Sequence, residues 1–175
     1  MEEKPVSLMK SSLMYGIYLG IVSILLSVIL YVFGFTFEKW VQYTSYPILI
    51  GGIVLAQLAY RKLLGGEMTY GQAIGVGTMT VIFSGVLSAV YTFLLYTVID
   101  PSLLDQMKLF TEQQIVEQGK VPEEQLDMVV EMMTKFQKPW ILTVSVIFMS
   151  GLMGLIFSLI TGIFTKKNPS DEVPA

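Results

Sequence analysis

The sequence predicts an all-α integral membrane protein: a four-transmembrane-helix bundle with an extracytoplasmic amphipathic helical hairpin between helices three and four. Three observations predict it. Four long segments, 11–37, 41–60, 70–99 and 140–164, contain no charged residue. Each supplies about the 17–25 apolar residues, or more, that a helix needs to cross a hydrocarbon core ~30 Å thick. Charged residues make up only 14% of the 175-residue chain, where a soluble domain carries roughly 25%. The one sizeable stretch left over, 100–138, holds eight acids and four lysines.

The first segment opens behind Lys4 and Lys10 and runs apolar from Leu13 to Phe37. That exceeds the apolar region of a cleaved signal peptide, and no small-residue cleavage site closes it, so it is expected to remain as a first span. A tight turn around Glu38-Lys39 joins it to the second segment, which makes the two an antiparallel hairpin. In the second, the favoured reading puts Ser45 at the N-cap and Pro47 in the first turn, where its missing N–H costs nothing; the alternative is a helix that starts at Val41 and kinks at Pro47. Thr69 and Gln72, three apart before an apolar run, form a capping box that starts the third helix. Glu67 beside them favours the positive end of that helix. The third segment would reach ~45 Å as a helix, so it must tilt, bend or project beyond the bilayer.

Asp100-Pro101 closes the third segment and is expected to cap the next helix, Asp at the N-cap and Pro after it. Gly119 breaks the 100–138 region, and Pro122-Glu123-Glu124 opens its second helix. There Leu126, Val129, Val130, Met133, Phe136 and Trp140 recur at spacings of three and four, the signature of one apolar face. That face, carried by Leu126, Val129, Met133 and Phe136, should cover the membrane surface or the tops of the spans. Pro139 is the expected break before the fourth span. Residues 168–175 read as a disordered tail.

Orientation follows from where lysine and arginine fall. Lys4, Lys10, Arg61, Lys62, Lys166 and Lys167 lie on one side in short segments; Lys39, Lys108, Lys120, Lys135 and Lys138 lie on the other, more sparsely. Both termini are therefore expected in the cytoplasm. Trp40 and Trp140 then fall at one outer interface, where an aromatic ring can keep one edge apolar and the other wet.

Composition also narrows the chemistry. The chain has no cysteine and no histidine. That excludes disulfides, thiol nucleophiles and the usual zinc, haem and iron–sulfur ligand sets, and it removes the commonest general base. The net charge of −3 and the small basic clusters exclude a nucleic-acid partner, which needs a basic stripe. No cofactor, metal or enzymatic activity is expected. The bilayer-embedded polar groups do not ionise, which speaks against an ion-coupled transporter. Among them Gln57 is the costliest to bury and the best single candidate for an intramembrane polar site.

Small residues mark three spans. Gly16 and Gly20 lie in the first, Gly75 and Gly85 in the third, Gly151 and Gly154 in the fourth. Small residues at such spacings let helix backbones approach closely in lipid. They can serve packing within one bundle, or contact with a partner membrane protein or a second copy.

The run Gly66-Glu67-Met68-Thr69-Tyr70-Gly71-Gln72-Ala73 that opens the third span, and Val98-Ile99-Asp100-Pro101 that closes it, resemble a family of small bacterial membrane proteins, mainly of Bacteroidetes. That family is catalogued as domain of unknown function 4199. The resemblance implies a location in the bacterial inner membrane. It implies no activity and assigns no functional residues. The reading these observations favour is a non-enzymatic accessory or assembly subunit that acts through helix–helix association. The alternative is a small oligomeric channel or facilitator for an uncharged or lipid-like solute.

Overall fold

The computed structural model describes residues 7–119 and 121–167; the tail reading for 168–175 lies outside the described residues. The described residues form six α-helices: α1 (Leu8–Val32), α2 (Val41–Leu63), α3 (Tyr70–Leu94), α4 (Leu103–Gln118), α5 (Glu123–Thr134) and α6 (Pro139–Thr165). A π-helical turn, Leu95–Ile99, extends α3. Among the described residues, three helical runs are long and apolar enough to cross a membrane: α1, Tyr70–Ile99 and α6. The second segment, α2, is helical but more polar, with Thr44, Ser45, Gln57, Arg61 and Lys62 along its 23 residues.

Helix α3 is the hub. It packs along α6 and α1 over long interfaces and along α2 over a shorter one. The interior is built from small and polar residues: Ser11, Ser12, Gly16 and Gly20 on α1; Gly77, Thr80, Ser84 and Gly85 on α3; Gly154, Ser158, Thr161 and Gly162 on α6. Large apolar side chains such as Leu25, Phe93, Phe148 and Phe164 face outward. A soluble protein buries such groups. In lipid they gain nothing by turning inward, so close backbone approach decides the packing instead. The protein is a membrane protein by this inverted pattern as well as by helix length.

Several helix ends form as the sequence dictates. Thr69 accepts a hydrogen bond from the Gln72 amide, and the Gln72 side chain accepts one from the Thr69 amide, which completes the capping box. Pro139 sits in the first turn of α6, and the chain breaks between α5 and α6. Gly119 ends α4 with φ +60°, a left-handed conformation that a side chain resists.

Two ends differ from expectation. Helix α1 stops at Val32 rather than Phe37, because the chain turns at Gly34 with φ +75°. Phe33, Phe35 and Trp40 then stack against one another in the connection. Apolar content alone carried the expected span through that turn. Helix α2 begins at Val41, which places Pro47 inside the helix instead of in its first turn, and Trp40 rather than Ser45 occupies the cap position. The proline removes the bond to the Tyr43 carbonyl. Tyr43 lies on an exposed turn, where that carbonyl can find another partner.

Candidate functional site

The most constrained polar group is Gln57, which is fully buried. Its Nε2 donates to the Ala73 carbonyl at 3.1 Å, tying α2 to α3. The Thr165 hydroxyl lies 3.1 Å from Gln57 Oε1 and 3.1 Å from the Thr161 carbonyl, and divides its proton between them. That ties α2 to the end of α6. One turn on from Gln57, Arg61 donates through Nη1 to the Thr165 carbonyl at 3.0 Å. The guanidinium thereby satisfies a terminal carbonyl of α6. The last residue of this knot is Lys167, which exchanges two backbone hydrogen bonds with Met68, at 2.9 and 3.0 Å. Gly77 supplies the floor: a Cβ there would lie 2.2 Å from Ser158 Oγ and 3.0 Å from Gln57 Nε2.

The sequence singled out Gln57 but not its partners. Thr161 and Thr165 drew no expectation, and Arg61 entered only through the orientation of the chain. The spacing of Gln57 and Arg61, four apart on one helix face, was the one local signal that the two act on the same neighbour. Close by, the hydroxyls of Thr78, Thr80 and Ser158 are buried without a hydrogen-bond partner among the described residues.

The structure uses most of the glycine candidates inside the chain. A Cβ on Gly16 would stand 2.6 Å from Phe83 Cβ and 2.8 Å from the Thr80 carbonyl, and one on Gly20 would meet Leu87 at 2.8 Å; both face α3. Gly85 abuts Ser150 of α6, Gly154 abuts Val81 of α3, and Gly75 approaches Leu8 of α1 at 3.2 Å. Gly151 is looser, its nearest neighbour Ile82 lying 3.8 Å away.

A different face remains open. Between α1 and α2 runs a groove of about 240 Å³ lined by Tyr15, Tyr18, Leu19, Val22, Ile48, Gly51, Gly52 and Leu55. A Cβ at Gly51 would meet nothing within 4 Å. Tyr15 and Tyr18 meet edge to face, with centroids 6.2 Å apart. Neither phenol has a hydrogen-bond partner among the described residues. Tyr18 is 58% exposed and lies ten residues into α1, roughly 15 Å along its axis. The groove leaves no mark in the sequence, because its floor and walls come from two helices whose register no local pattern reveals.

At the other end of the helices, Tyr31 donates to Asp100 Oδ2 at 3.1 Å, and the Ser102 amide donates to Asp100 Oδ1 at 3.1 Å. Asp100 and Pro101 do not open α4 as expected: Ser102 occupies the N-cap position and the helix begins at Leu103, while Asp100 holds the turn before it through that second bond. The Ser102 hydroxyl, the largest influence, together with Tyr31 and the Ser102 amide, holds the Asp100 carboxyl below the usual carboxylate range against an opposing effect of burial. The cluster therefore favours the fold above the unfolded-state Asp value of about 3.9, and the contribution is lost as pH falls through the lower folded value. Asp100→Asn is expected to remove that acid-limb dependence, which a pH series of thermal unfolding would detect. An unchanged series would show the carboxylate to be uncoupled from the fold.

The same end carries the hairpin. Phe110 of α4 packs on Phe37 at a centroid distance of 5.8 Å, and Glu117 pairs with Lys39, so α4 is anchored to the α1–α2 connection. A cleft of about 640 Å³ lies beneath it, lined by Phe37, Lys39, Trp40, Gln106 and Phe110 among others. On α5, Leu126 and Val129 are half-buried, whereas Met133 and Phe136 are exposed. The expected apolar face is thus split between a packed part and an open part. Among the described residues, no three carboxylates come together as metal ligands would.

The family model described as protein of unknown function (DUF4199) matches residues 14–167, from within α1 to beyond the end of α6. No curated protein and no solved structure matches the chain.

Proposed function

We propose that this chain, which belongs to the DUF4199 family of proteins of unknown function, is a non-enzymatic accessory or assembly subunit that holds a transmembrane helix of a partner protein in its α1–α2 groove. The observation that carries the reading is Tyr18. Its phenol lies deep along an apolar helix, exposed to the surroundings and unpartnered among the described residues. Hydrocarbon offers it no hydrogen bond, and a hydroxyl left unpaired there is costly. A neighbouring helix with a carbonyl or side-chain acceptor gains about 0.6 kcal/mol, at most ~1.7, by pairing with it. Open space above Gly51 lets such a helix approach closely.

In this reading α2 also crosses the bilayer, which makes four spans. The short basic segments with both termini lie in the cytoplasm, and the α4–α5 hairpin lies outside it, in a bacterial inner membrane. The clustering of Arg61, Lys62, Lys166 and Lys167 at one end supports that orientation.

The test is extraction from native membranes in mild detergent, followed by identification of stoichiometric companions. Gly51→Leu is expected to lose the companion by filling the groove while the chain still folds, since the new Cβ meets nothing of its own chain within 4 Å. Tyr18→Phe should weaken the complex several-fold. A companion retained by both variants would sink the groove assignment. A defined homo-oligomer with no companion would favour the channel reading, and solute flux in liposomes would then decide it.

A further inference from the structure

The cleft under the hairpin, about 640 Å³, falls in the size range of small-molecule sites, roughly 300–1,000 Å³. One wall is α4. Gln106, Leu109, Phe110 and Gln113 line it, and their spacings of three, four and seven place them on one helix face. The other wall is the α1–α2 connection, from Gly34 to Trp40. That connection is tied by its own backbone. The Phe35 amide donates to the Leu30 carbonyl at 2.8 Å, the Glu38 amide to the Phe35 carbonyl at 3.1 Å, and the Val41 amide to the Glu38 carbonyl at 3.1 Å. Phe37 packs on Phe110 from wall to wall, and Phe35 steadies the Trp40 ring at a centroid distance of 5.7 Å. Both walls are therefore set before any ligand arrives.

Position decides what reaches the cleft. Helix α1 has 25 residues and is apolar enough to cross a membrane. At 1.5 Å per residue it spans ~37 Å, more than a hydrocarbon core of ~30 Å. Tyr31 near its end bonds to Asp100 at the end of the α3 run, so both runs leave the core at one level. Residues 34–40 follow at once, at headgroup depth, and the half-exposed Trp40 is a residue type that favours that depth. Charge decides which headgroup fits. Lys39 pairs with Glu117, whereas Glu38 has no ion pair among the described residues. The uncompensated charge in the lining is thus a carboxylate, beside an indole ring and two side-chain amides. A carboxylate and an aromatic face attract an ammonium, and amide N–H groups can donate to phosphate oxygens. We infer that this cleft is a binding site for the phosphoethanolamine headgroup of a membrane phospholipid. The ammonium goes to Glu38 and Trp40, and the phosphate to Gln106 and Gln113. A choline headgroup is also cationic but has no N–H for the carboxylate. A glycerol headgroup brings a phosphate charge with no cation to offset Glu38.

The experiment titrates the full chain, purified in mild detergent, with dioleoyl lipids of ethanolamine, choline or glycerol headgroup, and counts bound lipid by native mass spectrometry. One saturable site is expected, which takes the ethanolamine lipid roughly fivefold more tightly than the other two, the most that an exposed ion pair supplies. Glu38→Gln is expected to bring the ethanolamine lipid down to the choline level with the fold intact, since Glu38 is exposed. Glu112→Gln, on α4 but outside the cleft lining, is expected to change nothing. Equal affinity for the three lipids, or a preference for the glycerol lipid, would overturn the inference. An unchanged preference in Glu38→Gln would overturn it too, as would equal losses in the two glutamate variants, which would reduce the effect to general acidity. Soluble glycerophosphoethanolamine is expected to compete weakly; binding as tight as the lipid's would overturn the lipid as the source of the headgroup. The cleft shares no lining residue with the α1–α2 groove, so the two readings fail separately.

Discussion

Replacing Gly16 by alanine is expected to lower stability by about 1–3 kcal/mol, and replacing it by leucine to prevent the helices from assembling. The reason is the hardness of what the new Cβ meets. Phe83 Cβ at 2.6 Å and the Thr80 carbonyl at 2.8 Å both belong to, or sit directly on, the α3 backbone. No rotamer change moves them aside. Helix α1 must instead withdraw from α3 along the whole interface, which also opens the contact between Gly20 and Leu87. Lost dispersion contacts are the cost, since lipid supplies no hydrophobic force to hold the helices together. Denaturation of the purified protein in mixed micelles, followed by circular dichroism, measures the effect. Gly51→Ala is the matched control, with an expected change under about 0.5 kcal/mol. Equal stabilities for the Gly16 and Gly51 alanine variants would refute the close packing of α1 on α3.

The same pair of glycines shows where sequence reading reaches its limit. Gly16 and Gly51 are both small residues in apolar helices, and nothing local distinguishes the one under α3 from the one facing outward. Spacing reported that close approach occurs; the partner of each approach depended on helix register and on which elements neighbour α3. The start of α3 was legible because its signal is local, a reciprocal bond between residues three apart. The end of α1 was not, because Phe33, Phe35 and Phe37 are as apolar as the helix they leave, and only the positive φ of Gly34 marks the turn. Pro47 misled in the other direction: the rule that proline avoids helix interiors weakens where the freed carbonyl lies on an exposed turn, as at Tyr43. On α5 the three- and four-residue spacing revealed an apolar face, but the same spacing could not separate the side chains that are half-buried, Leu126 and Val129, from the exposed Met133.

Gln57 was legible as a buried polar group and illegible as a tie, since Thr165 lies 108 residues away in the chain. Its removal is the second large effect expected. Gln57→Ala should cost about 2–4 kcal/mol: it leaves a void at a fully buried site and deletes the bonds to Ala73 and Thr165. Gln57→Leu fills nearly the same space and deletes the same bonds, so its cost isolates the polar term. That term should stay below about 2 kcal/mol, because interhelical hydrogen bonds in membranes average ~0.6 each and the Thr165 hydroxyl retains the Thr161 carbonyl. The ordering alanine worse than leucine is therefore the discriminating result. It follows from a site held mainly by packing, with Gly77 and Ser158 pressed against the amide. Equal and large costs for the two variants would mean that the two hydrogen bonds dominate, and that the tie between α2, α3 and the end of α6 is primarily polar. Double variants with Thr165→Val, read in the same denaturation experiment, separate the two cases: a coupling energy near zero assigns the site to packing, and one above ~1.5 kcal/mol assigns it to the hydrogen bond.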